Sequence, residues 1–256
     1  MGDTGTPLLS LTGIDKVFGR DIVALSNFSL DVREGDFISL LGPSGCGKST
    51  CLRLIAGLMQ PTSGKMRWSS PEASEGLGVV FQEPTLMPWA TVEDNVFLPL
   101  RLMGKSKSSV LDDIYSSLAM VGLEGFEGAY PRALSGGMKM RVSIARAMVT
   151  KPKLILMDEP FAALDEITRF KLNNDLLTMQ AQLGCTVIFV THSVFESVFL
   201  SNRVVVMAAR PGRVIEELAV NAPYPRDEVF RTSADYAAHC RAASEALKAA
   251  MGDVPH

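Results

Sequence analysis

Long apolar runs and an excess of basic residues are both missing from this sequence. No apolar stretch approaches the roughly 20 residues that a membrane-spanning helix needs. Residues 1–10 lack the basic start and the apolar segment of a secretory signal, and Thr6 is too weak a signal for us to expect myristoylation of Gly2. The net charge of −3 gives no reason to expect a nucleic-acid partner. We therefore expect a soluble, intracellular protein.

Cysteine is scarce as well. The four cysteines form neither a Cys-x-x-Cys pair nor a cluster with histidine: Cys46, Cys51, Cys185 and Cys240. A disulfide framework or a metal cluster is therefore disfavoured, and a reducing compartment is expected. What the sequence does contain is a globular composition, 47% hydrophobic and 21% charged. Its 256 residues are enough for one large domain or two small ones with a buried core.

Short apolar runs alternate with helical patterns, which favours an α/β domain with a largely parallel sheet. Three runs, at 36–42, 154–158 and 186–190, are apolar almost throughout, as strands buried on both faces are. The segments RVVVMA and RVIEELAV, separated by ARPG, predict a terminal pair of strands resembling a hairpin.

The segment 91–150 shows only helical patterns. Apolar residues recur there at helical spacing and end at a glycine: Val110, Ile114, Leu118, Val121 and Gly122. Thr91 is expected to be the N-cap of the helix that comes before this one in the chain. These patterns predict a helical lobe inserted into an α/β lobe, and the alanine-rich segment 233–251 predicts a C-terminal amphipathic helix.

The segment GPSGCGKST follows a predicted strand and precedes a predicted helix. Glycines at this spacing let backbone N–H groups turn toward phosphates at a helix N-terminus. Lys48 is expected to reach the β- and γ-phosphates, and the Ser49 hydroxyl to bind Mg²⁺. A chance glycine-rich turn is the alternative, and the strand and helix around the segment argue against it. The predicted nucleotide-binding residues of this loop are Gly42, Pro43, Ser44, Gly45, Cys46, Gly47, Lys48, Ser49 and Thr50.

Two carboxylates follow the second apolar strand, in LILMDEP. Asp158 ends the strand, where it would support the Mg²⁺ shell, and Glu159 would face the position from which water attacks. A surface turn with two acids and a proline is the alternative. The wholly apolar strand before the pair favours the functional interpretation.

The sequence LSGGM at 134–138 completes a set of five motifs that, in this order, resembles the ATP-binding cassettes of ABC transporters. The match covers roughly residues 8–220 and is far more specific than any one motif. The resemblance implies an α/β fold of the P-loop NTPase (ABC cassette) class, with a RecA-like lobe, an N-terminal antiparallel β part and an inserted helical lobe. It implies one nucleotide-binding domain over 1–256, with these parts: 1–87 and 151–220 for the RecA-like and β lobe, 88–150 for the helical lobe with its signature, and 221–256 for a C-terminal helical tail.

In this family two cassettes face each other head to tail, and the signature of one closes over the γ-phosphate held by the other. The resemblance assigns that role in trans to a second copy of this chain, through Ser135, Gly136, Gly137 and Met138. Met138 is a departure, because glutamine is commoner at this position. A single chain would then carry two half-sites and no complete site.

The resemblance assigns roles to four further residues. Phe18 would stack on adenine, with ordinary core packing as the alternative, and Gln82 would contact Mg²⁺ and water. Asp165 matches the D-loop, and His192 matches the histidine that contacts the γ-phosphate. Ser193 follows that histidine where aspartate is usual, which leaves the orientation of His192 open. The implied mechanism is in-line attack by water, with Glu159 as general base and with ATP and Mg²⁺ as substrate and cofactor.

FQEPTLMPWATVEDNV and VVVMAARPGRVIEELAV are similar to segments of nitrate, sulfonate and taurine importer cassettes. The resemblance implies membrane permease subunits as partners, an extracytoplasmic solute-binding protein as an indirect partner, and no nucleic acid. It implies a peripheral location on the cytoplasmic face of the inner membrane. A lipid-trafficking cassette is an alternative. A non-transport ABC ATPase is another, although such proteins usually have long coiled-coil insertions or two cassettes per chain.

The apolar cluster LMPWA, directly after Gln82, has two interpretations. Leu86, Met87 and Trp89 would either form the core of the helical lobe or line a groove for a short helix of a membrane subunit.

Overall fold

A computed structural model of the chain describes residues 6–224 and 226–252. The strands, numbered in chain order, are β1 (Leu9–Phe18), β2 (Ile22–Val32), β3 (Phe37–Leu41), β4 (Ser63–Trp68), β5 (Leu77–Val80), β6 (Leu154–Asp158), β7 (Thr186–Thr191), β8 (Arg203–Ala208) and β9 (Arg213–Ala219). The helices are α1 (Lys48–Ile55), α2 (Pro71–Glu75), α3 (Val92–Leu102), α4 (Leu111–Met120), α5 (Gly136–Met148), α6 (Glu166–Leu183), α7 (Val194–Leu200), α8 (Glu228–Arg231) and α9 (Ala234–Gly252). Short 3₁₀ turns lie at Lys107–Ser109 and Pro131–Ala133.

The chain divides into two compact units, and the first comprises the residues up to Glu75 together with those from Thr186 onward. It contains an antiparallel sheet in the order β2-β1-β4 and a second group of strands in the order β7-β3-β8-β9. Strands β7, β3 and β8 run parallel, and β9 pairs antiparallel with β8. Every residue of β3 and β7 is buried, because helices contact both strands: α1 packs on β7, and α7 packs on β3 and β7.

The second unit is Gly76–Cys185. It contains the parallel pair β5-β6 and the helices α3, α4, α5 and α6. Helix α5 contacts α3, α4 and β5. The approach to β5 is so close that a Cβ added at Gly78 would lie 2.6 Å from the Ala147 carbonyl oxygen. The predicted helical lobe, 88–150, falls within this unit.

The elements predicted from local patterns are confirmed. The three apolar runs form β3, β6 and β7, and the two terminal segments form the antiparallel pair β8-β9. The Thr91 hydroxyl accepts a hydrogen bond from the Asp94 N–H at 3.2 Å and so caps α3. The predicted terminal helix forms as α9.

Two predictions about the ends of the chain fall outside the described residues. These are the interpretation of the first five residues, including Gly2, and the last four residues of the predicted tail. Within the described part, no helix combines the length and the apolarity that crossing a membrane requires.

Candidate functional site

The phosphate loop of the first unit connects the end of β3 to the start of α1. Gly47 has φ +91°, and a Cβ there would lie 2.7 Å from Leu25 Cδ2. A Cβ at Gly42 would lie 2.7 Å from both Cys46 Sγ and the Met207 carbonyl oxygen. Glycine is therefore required at both positions, by backbone conformation at one and by space at the other. The loop can present backbone N–H groups at the N-terminus of α1, which has no acidic residue in its first turn.

Lys48 is held inside this loop. Its side chain is only 4% exposed, and the ammonium donates to the Gly42 carbonyl at 2.7 Å and to the Pro43 carbonyl at 3.0 Å. Burial of an ammonium is costly unless its donors are satisfied, and the loop carbonyls supply that compensation. The positive charge thus lies at the phosphate loop, where it can bind an anionic ligand.

Gly212, between β8 and β9, packs closely against the backbone of the phosphate loop. The sequence patterns did not predict this contact. A Cβ at Gly212 would lie 2.3 Å from the Cys46 carbonyl oxygen and 2.6 Å from the Ala24 carbonyl oxygen. Hydrogen bonds fix this approach: Gly212 N–H donates to Ala24 at 3.1 Å, and Ser26 N–H donates to the Gly212 carbonyl at 2.9 Å. The sequence signal was the glycine in ARPG, which predicted a turn and gave no information on its contacts.

His192 belongs to the same unit and lies beside the start of the phosphate loop. Thr191, the last residue of β7, pairs in register with Leu41, the last residue of β3. The carboxyl ends of adjacent parallel strands lie about 4.8 Å apart, so His192 and Gly42 leave the sheet side by side. Ligands of parallel α/β sheets bind at this edge.

Ser193, which stands where aspartate is usual, caps the next helix. Its hydroxyl accepts a hydrogen bond from the Glu196 N–H at 3.3 Å and is the N-cap of α7. Serine performs this capping about as well as aspartate does.

Phe18, at the end of β1, is 38% exposed. This exposure removes ordinary core packing as an explanation for the aromatic ring. The Lys16 ammonium lies 5.2 Å from the ring centroid and donates to the Gln60 carbonyl at 2.7 Å. Stacking on adenine remains a proposal.

In the second unit, Gln82 follows β5 and Asp158 is the last residue of the neighbouring parallel strand β6. Val80, which ends β5, pairs with Met157 of β6, so both polar residues leave the same edge of this pair. Asp158 and Glu159 are half-buried. Glu159 has φ +46°, a conformation that costs a non-glycine residue of order 1–3 kcal/mol and is concentrated at functional sites.

The signature lies at the exposed start of α5. The Ser135 hydroxyl accepts a hydrogen bond from the Met138 N–H at 3.2 Å, which makes Ser135 the N-cap. Ser135 and Gly136 are exposed, and a Cβ at Gly137 would lie 2.9 Å from the Thr168 methyl group. Since a hydroxyl that accepts one bond can still donate another, this helix terminus can bind an anion.

Asp165, of the predicted D-loop, caps α6. Its carboxylate accepts from the Thr168 N–H at 2.9 Å. The hydrogen bonds from Thr168 lower the pKa of this carboxyl. Thr168 therefore contacts both segments. Its methyl group lies next to Gly137 of the signature, and its N–H donates to Asp165 of the D-loop.

The segment after Gln82 is held by Arg146, near the end of α5. The guanidinium donates to the Pro84 carbonyl at 2.9 Å, to the Thr85 carbonyl at 3.0 Å and to the Thr85 hydroxyl at 3.0 Å. Arg146 also lines a groove of about 350 Å³, whose apolar side chains include Leu77, Val79, Phe81, Leu98 and Leu102. Leu86, Met87 and Trp89 are not among the residues that line this groove. Leu86 and Met87 are half-buried, whereas Trp89 is 76% exposed and does not belong to the lobe core.

The predicted site residues therefore divide between the two units. The first contains Phe18, the phosphate loop and His192. The second contains the remaining ones, which are Gln82, Ser135, Gly136, Gly137, Met138, Asp158, Glu159 and Asp165. Among the described residues, no cluster of histidine, cysteine, aspartate and glutamate has the arrangement of a preformed metal site.

Comparison with known proteins places these features in one family. Residues 25–162 match the family described as ABC transporter. An uncharacterised ABC transporter ATP-binding protein of Methanocaldococcus jannaschii is 50% identical over 230 residues, which is 89% of this chain and 85% of that protein. The nitrate import ATP-binding protein NrtD of Synechocystis sp. is 45% identical, covering 84% and 83%. The aliphatic sulfonates import ATP-binding protein SsuB of Bacillus cereus is 42% identical, covering 86% and 89%.

Solved structures agree with the sequence relatives. The ATP-binding cassette MJ0796, described as a dimer in a post-hydrolysis state bound to ADP and Pi, is 32% identical, with a TM-score of 0.72 over 84% of this chain and 100% of that chain. The predicted fold class, a P-loop NTPase of the ABC cassette type, is thereby confirmed. The chain belongs to the ABC transporter family, as one of its ATP-binding proteins.

Proposed function

We propose that this chain energises a membrane importer for a small anionic solute of the nitrate, sulfonate or taurine class. Its ATPase activity follows from the family. The observation that carries the finer proposal is the pair of relatives named for nitrate and aliphatic sulfonate import, at 45% and 42% identity over most of the chain. The chain would act at the cytoplasmic face of the membrane, bound to permease subunits and supplied by an extracytoplasmic solute-binding protein.

Hydrolysis is assigned to this chain's own groups as follows. Glu159 accepts a proton from water as the water oxygen attacks the γ-phosphorus in line, and the bond to the β–γ bridging oxygen breaks to give ADP and phosphate. Lys48 neutralises charge on the phosphates. His192 contacts the γ-phosphate, and Phe18 stacks on the adenine.

The residues present suit Mg²⁺ as cofactor. The proposed donors are the Ser49 hydroxyl, the Gln82 side-chain oxygen and the Asp158 carboxylate. All three are hard oxygen ligands, and Mg²⁺ is usually bound by one or two protein carboxylates together with phosphate oxygens and water. The glycine cradle, where side chains at Gly42 and Gly47 would collide with the loop or its neighbours, fits a phosphate chain. When bound, Mg²⁺ supplies charge neutralisation at the β- and γ-phosphate oxygens.

The second half of each site is proposed to come from a second copy of the chain. The exposed Ser135 and Gly136 at the start of α5 support this role, because a helix N-terminus attracts anions. In this proposal Ser135, Gly136, Gly137 and Met138 bind the γ-phosphate held by the partner's phosphate loop. The solved relative described as a dimer with ADP and Pi supports it.

The permease is proposed to dock at the apolar groove beside Arg146. The apolar lining of this groove and its Arg146 are features of protein interfaces, where aromatic residues and arginine are enriched. Trp89, which is exposed but does not line the groove, is proposed as a further contact of the same interface. A short amphipathic helix presented by the membrane subunit fits such a groove.

The experiment uses Glu159→Gln. A general base raises the reaction rate by about 10²–10⁴-fold, so turnover should fall by that factor while ATP binding persists. An ATP-dependent dimer should then accumulate on a sizing column. Adding Ser135→Arg should abolish that dimer. Unchanged turnover would remove Glu159 from the role, and a dimer indifferent to Ser135→Arg would contradict the shared site.

The solute class needs a separate test. The chain, its permease and its binding protein are reconstituted in vesicles, and uptake of nitrate, aliphatic sulfonates and taurine is compared. ATP-dependent uptake of any one supports the proposal, and uptake of none of them contradicts it.

A further inference from the structure

The short helix α7 begins two residues after His192, and its C-terminal end contacts the C-terminal tail. The tail is defined here as residues 221–224 and 226–252, which include α8 and α9. A helix leaves its last four carbonyls without intrahelical partners. At the end of α7 these carbonyls accept hydrogen bonds from tail side chains, and the four residues concerned are Val198, Phe199, Leu200 and Ser201.

Arg226 is the centre of this arrangement. Its Nη1 donates to three of those carbonyls at 2.8–3.0 Å, and Tyr224 donates to the fourth, that of Leu200, at 2.8 Å. Arg226 is only 3% exposed, and its guanidinium lies 4.4 Å from the Tyr224 ring centroid and 5.2 Å from that of Phe230. A buried cation facing the negative end of a helix dipole secures that helix end strongly.

Tyr236, in α9, holds the opposite end of α7. Its hydroxyl donates to the Phe195 carbonyl at 3.0 Å, in the first turn. Its ring packs edge-on against Phe199 and Phe230, with centroids 6.5 Å and 5.3 Å away. The tail therefore makes hydrogen bonds to both ends of α7. These bonds stabilise the helix, because seven residues have little helical stability of their own.

Glu196 links α7 to the residues on either side of His192. Its carboxylate accepts a hydrogen bond from the Thr191 hydroxyl at 2.6 Å, and its N–H donates to the Ser193 hydroxyl at 3.3 Å. The Ser193 N–H donates in turn to the Thr191 hydroxyl at 3.0 Å. A shift of α7 must therefore move the backbone that carries His192.

We infer that the C-terminal tail is a positioning element for His192, acting through Tyr236 and Arg226 on α7. The inference rests on the proposed role of His192 at the γ-phosphate. Tail side chains hold α7 in position, and α7 carries Glu196. Glu196 in turn is hydrogen-bonded to Thr191 and Ser193, on either side of His192. The tail residues contact no substrate in this scheme.

The test compares two chemically identical substitutions. Tyr236→Phe removes only the hydroxyl that contacts α7, whereas Tyr115→Phe removes a hydroxyl that donates to Glu93 in the second unit. We expect Tyr236→Phe to lower kcat by about three- to tenfold, the effect of one lost hydrogen bond, with the KM for ATP within twofold of wild type. Tyr115→Phe should leave both constants unchanged.

A second readout does not depend on turnover. The chain has three histidines, so the ring signals of histidine-labelled protein are few, and His192→Gln identifies the one from His192. Tyr236→Phe and Arg226→Lys should shift or broaden that signal in nucleotide-free protein, and Tyr115→Phe should not. An unmoved His192 signal together with an unchanged kcat in Tyr236→Phe would overturn the inference. Failure of the proposed role of His192 would instead appear as unchanged ATP turnover in His192→Gln.

Discussion

Gly212→Ala offers a direct test of how the phosphate loop is supported. The added Cβ would lie 2.3 Å from the Cys46 carbonyl oxygen and 2.6 Å from the Ala24 carbonyl oxygen. A contact distance of about 3.4 Å therefore requires movements of about 1 Å. The hydrogen bonds that join Gly212 to Ala24 and Ser26 oppose a retreat of Gly212 itself, so the Cys46 peptide has to yield.

That displacement has two measurable consequences. Overpacking of this kind costs about 1–3 kcal/mol of unfolding free energy, which lowers the melting temperature by roughly 2–12 °C for a protein of this size. The Cys46 carbonyl and the Gly47 N–H share one peptide plane, so pushing the first turns the second away from the phosphates. Loss of one such hydrogen bond, worth about 0.5–1.5 kcal/mol, weakens nucleotide binding by about two- to tenfold.

Gly128→Ala is the matched control, because a Cβ there meets no atom within 4 Å and the residue has no positive φ. Thermal melts and titration with a fluorescent ATP analogue are run on both variants. If Gly212→Ala binds nucleotide as wild type does, or if both variants lose the same stability, the loop is not supported by Gly212 in the way we describe.

Two further predictions concern other surfaces. Met138 is half-buried at the start of α5, and its thioether is a poor hydrogen-bonding group. Met138→Gln should tighten ATP-driven dimerisation by a few-fold to about tenfold if the side chain faces nucleotide across the dimer. A lower melting temperature with no gain in dimerisation would show that Met138 packs between helices. Trp89→Ala should leave the melting temperature and the ATPase activity of the free chain unchanged and should weaken its association with permease subunits in detergent. Val229→Ala, at an equally exposed apolar residue of α8, serves as its control, and equal losses of association would contradict a docking contact at Trp89.

The features that sequence could predict are those whose cause is local. The glycines of the phosphate loop, the apolar run of β6 and the Thr91 cap each depend on a few neighbouring residues, and each forms as predicted. His192 could be placed only through a family resemblance, since a lone histidine after a strand carries little information.

The features that sequence could not predict depend on contacts between distant segments. Gly212 reads as an ordinary turn residue until the fold sets it against Cys46. Arg226 belongs to no motif, and it is buried because the carbonyls at the end of α7 and two aromatic rings surround it. The departure at Ser193 left the orientation of His192 open, and the structure shows that the Ser193 hydroxyl accepts the capping hydrogen bond from the Glu196 N–H.

Helix α5 has the signature at one end and Arg146 near the other. Its thirteen residues make a rod about 20 Å long, and a continuous α-helix does not compress along its axis at small loads. If Ser135 moves toward a phosphate, as proposed, the same displacement would reach Arg146 and the Pro84 and Thr85 carbonyls that accept its hydrogen bonds. ATP binding at the signature and a change in the shape of the apolar groove would then result from one displacement of α5.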